Sequence, residues 1–90
     1  MLENAYVIDV RMESRYNSGR IKGSQNFPIH LLSKRYTDIP KEKKVVVVDQ
    51  AGNPVWIPAC WFLKNQGYSD LYWLQGGMDA WEKGGFPIEK

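Results

Sequence analysis

Six residues after the valine run at 45–48 hold most of the chemistry this chain could do: Asp49, Gln50, Ala51, Gly52, Asn53 and Pro54. A short apolar strand, a tight glycine-containing loop and a helix start together make an anion cradle, because the loop and first-turn N–H groups converge. The residue heading such a cradle is often a nucleophile, and here it is Asp49. An aspartate that attacked a phosphoryl group would want a cation or metal beside it, and this loop offers neither. The reading that fits the residues has the Asp49 carboxylate accept loop or helix-start N–H groups and fill the cradle itself. A small bound anion is then not expected in the loop.

The other candidates are few. Cys60 is the only cysteine, which excludes an internal disulfide and a cysteine-based metal cluster within one chain. It lies between Ala59 and Trp61 in an apolar helical stretch, the setting of a buried structural thiol, with a displaced sulfur carrier as the alternative. His30 is the only histidine and reads as a surface or helix-cap residue, so no metal and no cofactor is expected. Asp9 and Arg11 flank the end of the first strand and are expected to hold the loop edge together, with ligand contact as the sharper alternative.

These residues need elements to position them. Residues 6–10 form a short apolar strand, 12–17 a turn or two of helix closed by Ser18-Gly19, and 24–27 a second strand that must end at Pro28. Residues 29–35 read as a short helix. The valines at 45–48 show no alternation, so both faces should be buried, as in a central parallel strand covered by helices. Asn53 is a good N-cap and Pro54 then takes the favoured first helical position, with the helix running to Gln66 and stopping at Gly67. Pro58 inside it predicts a kinked or late-starting helix. Residues 70–74 give a fourth strand and 78–83 a last helix after Gly76-Gly77. Alternating strands and helices with short loops imply a parallel α/β sheet of four to five short strands, flanked by helices, with its functional edge at the strand ends.

The 90 residues make one small domain, spanning 1–90, either minimal or excised from a longer or tandem protein. A net charge of +2 with scattered basic residues argues against nucleic acid or an anionic membrane as partner. No apolar run approaches the ~20 residues that span a bilayer, and no signal-peptide pattern is visible, so a cytoplasmic address is the default expectation.

Val7-Ile8-Asp9-Val10-Arg11, then Tyr16, Gly19-Arg20-Ile21-Lys22-Gly23-Ser24 and Phe27-Pro28 resemble the opening of a rhodanese-like (sulfurtransferase) domain. Gly67-Tyr68, Leu74, Gly76-Gly77, Ala80-Trp81, Gly84 and Pro87-Ile88 resemble its closing signature, in which Trp81 should be core. Active members of that family carry a Cys-x-x-Gly-x-Arg loop, whose thiolate takes sulfane sulfur as a persulfide and passes it to a thiophilic acceptor. Aligned on Gly52, Asp49 takes the cysteine position and Pro54 that of the arginine; the segment to Gly67 is longer by a residue, so Gln50 is a second candidate. Arg20 replaces the histidine of the family's Gly-His-Ile. Persulfide formation needs a polarizable sulfur nucleophile, which a carboxylate or an amide is not. The resemblance therefore implies a catalytically inactive rhodanese-like domain, serving as a protein-binding, regulatory or interdomain module. The alternatives are a transferase with an altered loop and the structural half of a tandem sulfurtransferase.

Four tryptophans and five tyrosines are many for this length. The stretch bearing Trp56, Ile57, Cys60, Trp61, Phe62 and Leu63 is apolar on more than one helical face. Trp56, Trp61 and Phe62 are therefore candidates for a surface facing a protein partner or adjacent domain, with a helix squeezed between sheet and neighbouring helix as the equal alternative.

Overall fold

The computed structural model describes residues 4–50 and 55–90. In these the chain runs β1 (Ala5–Asp9), α1 (Glu13–Ser18), β2 (Gln25–Asn26), a 3-10 turn (Ile29–Leu31), α2 (Leu32–Arg35), a second 3-10 turn (Tyr36–Asp38), β3 (Lys44–Val48), α3 (Trp56–Asn65), β4 (Leu71–Trp73) and α4 (Gly77–Lys83). The four described strands form one sheet in the order β2-β1-β3-β4, and every pairing is parallel.

The valine run explains itself in this sheet. Val45 and Val47 join Ile8, Val10, Phe27, Leu32, Ile39, Ala59 and Leu63 on one face. Val46 and Val48 join Val7, Ile21 and Met78 on the other. Both faces of β3 are thus covered, as the lack of alternation required. Each valine is at most 5% exposed, and full burial of such a side chain is worth about 1.5–3 kcal/mol.

α3 lays Ala59 and Leu63, one turn apart, on the sheet, both fully buried. Pro58 is its third residue, where a backbone N–H has no intrahelical partner anyway, so the proline is met by a late start rather than a kink. The expected cap at Asn53 and first position at Pro54 lie outside the described residues; the helix as described begins at Trp56, after Val55. Its end matches expectation. Gly67 has φ +96°, its N–H donates to Lys64 O (3.1 Å), and the Tyr68 N–H donates to Leu63 O (3.1 Å).

Two expected elements and the placement of one residue are corrected. The helix at 29–35 is only one α-turn between two 3-10 turns, with the Tyr68 hydroxyl donating to the carbonyls of Tyr36 and Ile39. The strand at 24–27 shrinks to Gln25–Asn26, because the Ser24 hydroxyl turns back to Ile21 O. Trp81 is half-buried rather than core, packing on the smaller cluster while its indole N–H donates to Pro87 O (2.7 Å).

Candidate functional site

The parallel sheet brings the ends of β1 and β3 side by side, with Asp9 in register with Val48. Asp9 and Asp49 therefore stand at one edge, and both are buried, at 1% and 2% exposure. Arg11 folds back over Asp9. Its Nε lies 3.0 and 3.1 Å from the two carboxylate oxygens, its Nη2 donates to Oδ2 at 2.8 Å, and its own backbone N–H donates to Oδ1 at 3.0 Å. The same guanidinium donates to Gly19 O (2.8 Å) and to Gln50 Oε1 (3.0 Å). This is a buried, nearly saturated charge pair, and it ties the end of α1 to the residue after Asp49. With its fork committed to Asp9, Gly19 and Gln50, Arg11 acts as a brace of the loop edge.

Gln50 completes the brace. Its amide nitrogen donates to the Asp79 carboxylate in the first turn of α4. Arg11, Gln50 and Asp79 thus link α1, β3 and α4 across the mouth of the site. Sequence reading missed Asp79: it stands 29 residues from Gln50, and nothing local marks their meeting.

Asp49 points inward. Its Oδ2 accepts the N–H of Trp56 (3.2 Å), the first residue of α3, and its backbone O accepts the Met78 N–H (2.7 Å). A carboxylate at a helix N-terminus is favoured by the unpaired N–H groups there. Gly77 shows how tightly this is packed. It has φ +56°, and a Cβ placed on it would collide with both the carbonyl oxygen and the carboxylate of Asp49. Glycine is required there on both counts. Ala51, Gly52, Asn53 and Pro54, which complete the expected cradle, lie outside the described residues.

Cys60 is half-buried on α3, on the groove side rather than in the core. Burial, and then the negative charge of Asp49, push its thiol up to about 11. At neutral pH it is a neutral thiol. His30 is exposed in the first 3-10 turn. Among the described residues no group of three or more His, Cys, Asp or Glu side chains is placed to hold a metal ion, and no helix is long and apolar enough to cross a membrane.

Beside the brace a cleft of about 490 Å³ is lined by Arg11, Ser14, Arg15, Gln50, Glu82 and Lys90 among others. A second, of about 450 Å³, is bordered by Arg11, Met12, Ile29, Asp49 and Val55.

The aromatic residues divide. Trp61 is 67% exposed. Trp56 is half-buried and stacks on Trp73 of β4, centroids 4.3 Å apart and rings 4° from parallel. Phe62, expected on the same surface, is turned inward instead, edge-on to Tyr36 at 5.2 Å, because it shares the helix face that meets the 36–39 segment. Trp73, Tyr72 and Ile57 take its place at the surface, at 49%, 48% and 51% exposure.

The family model for rhodanese-like domains matches residues 1–84. A sulfurtransferase from Allochromatium vinosum is 34% identical over 86 residues, covering 96% of this chain and 79% of that protein. The thiosulfate sulfurtransferase GlpE of Pseudomonas fluorescens is 33% identical over 87 residues, covering 97% and 78%. Among solved structures, a rhodanese-related protein from Thermoplasma volcanium superposes with a TM-score of 0.89 at 28% identity, covering 98% of this chain and 86% of that one. A rhodanese-like domain from Anabaena sp. gives 0.83 at 32% identity, covering 98% and 84%.

Proposed function

The chain belongs to the rhodanese-like domain family, and from that premise we propose that it is a non-catalytic member, acting as a binding, regulatory or interdomain module. One observation carries the reading. The first residue past β3 is a buried carboxylate, Asp49, bonded to the α3 N-terminus where sulfur chemistry would need a thiolate. The relatives named as sulfurtransferases make sulfur transfer the natural competing activity. Only Cys60 could supply it. Its thiol, raised to about 11 by burial and by Asp49, is a poor candidate for the attacking thiolate at neutral pH.

The test is sulfur transfer from thiosulfate to cyanide, measured on wild type, Cys60→Ser and Asp49→Cys. The proposal expects background rates for the first two. Wild-type turnover that vanishes in Cys60→Ser would replace it with a transferase whose thiol has moved onto α3.

A further inference from the structure

β4 has β3 on one side and, among the described residues, no neighbouring strand on the other. Its backbone bonds show which groups are free. The Val45 N–H donates to Asp70 O and the Leu74 N–H donates to Val47 O, both at 2.9 Å. Backbone groups alternate sides along a strand, so residues 70, 72 and 74 serve β3, while the N–H and C=O of Leu71 and Trp73 face outward. Edge strands are usually guarded by charge, proline or a bulge. Residues 71–73 carry none of these, only Leu71, Tyr72 and Trp73.

We propose that this edge pairs with β4 of a second copy of the chain, antiparallel about a two-fold axis at Tyr72. In that register Leu71 stands opposite Trp73 of the second copy, and Trp73 opposite its Leu71. Each pair exchanges two N–H···O bonds, so every outward group of the strand is satisfied. The interface is isologous and closed, and the two sheets become one of eight strands.

The side chains favour the same arrangement. Trp73 and Leu71 lie on the α3 face, in a groove of about 270 Å³ that also involves Trp56, Ile57 and Trp61. The two-fold axis would set two such grooves edge to edge. At roughly 150–250 Å² per aromatic side chain, the exposed parts of Trp61, Tyr72 and Trp73, with the smaller contribution of Ile57, amount to on the order of 450 Å² per chain. Complete cover of these surfaces in two copies, together with the paired strand backbones, would bury the roughly 1,000 Å² that a specific interface needs. Lys64 beside one face and Lys44, over the Tyr72 ring at 5.4 Å, supply a polar rim. The inference is independent of whether the loop does chemistry.

Sedimentation velocity over a wide protein concentration series tests it. A reversible monomer–dimer equilibrium is expected, weakened tenfold or more by Trp61→Lys, whose exposed side chain the monomer fold does not need. Trp73→Pro, which removes an outward N–H that β3 does not use, should abolish it. Amide exchange at Leu71 and Trp73 should slow as concentration rises. A chain monomeric throughout, or a dimer indifferent to both substitutions and unprotected at these two amides, overturns the proposal.

Discussion

Arg11→Met tests the brace that holds the loop edge. The substitution keeps the length and apolar stem of the side chain and removes its charge. Asp9, 1% exposed, loses the three side-chain N–H contacts at 2.8–3.1 Å and keeps only the backbone N–H of residue 11. Gly19 O and Gln50 Oε1 lose their donors as well. Breaking a buried pair from one side leaves an uncompensated charge and costs about 3–5 kcal/mol. A chain of this size holds roughly 5–13 kcal/mol in total. The expected fall in Tm is therefore roughly 12–40 °C, at ~4–8 °C per kcal/mol for a small domain. Urea denaturation gives the free energy directly, with m unchanged if only stability has moved. Asp9→Leu combined with Arg11→Met removes both charges and should recover much of the loss, because no charge is then stranded. A single Arg11→Met variant within about 1 kcal/mol of wild type would refute the argument, since a pair that cheap to break is not desolvated.

Four further outcomes follow from the structure. With its thiol raised to about 11, Cys60 should alkylate at pH 8 on the order of 100-fold more slowly than an unperturbed thiol, from ionisation alone, and Asp49→Asn should shift its rate–pH curve downward; a native midpoint in the ordinary thiol range would contradict this. The same shift means that the folded chain keeps a proton that the unfolded chain gives up. Cys60 thus contributes stability below the ordinary thiol range that is lost as pH rises toward about 11, and Cys60→Ser should flatten that part of the stability–pH curve. Asp49→Ala, which strands the Trp56 N–H, should cost about 0.5–2 kcal/mol and make sulfate more stabilising than it is for wild type, read by thermal melts in sulfate and chloride. Tyr68→Phe, which removes the donor shared by Tyr36 O and Ile39 O, should cost about 1–3 kcal/mol in urea titration, without change in the loop edge.

Local signals gave the elements that local chemistry dictates. Four valines without alternation marked β3 as buried on both faces, and Gly67 marked the end of α3 through its left-handed conformation. Asp9 with Arg11 was legible because the pair lies within two residues. What stayed hidden depends on contacts distant in sequence. The stretch at 29–38 forms single turns, and its end is held by Tyr68, which takes the carbonyls of Tyr36 and Ile39. Phe62 and Trp61 are adjacent and equally apolar, and only the position of Tyr36 turns one in and leaves the other out. Trp73 became a surface residue because, among the described residues, no strand covers β4 on its outer side. The Gln50–Asp79 link required α4 to be placed against the end of β3.

The central claim is that the site is filled by its own carboxylate and carries no sulfur. Intact-mass spectrometry after incubation with excess thiosulfate tests it most directly, on wild type beside Asp49→Cys. Wild type should show no added sulfur atom under conditions in which the engineered thiol can be loaded. A wild-type chain that gains one sulfur atom, and loses that ability in Cys60→Ser, would contradict the claim and make Cys60 a working sulfur carrier.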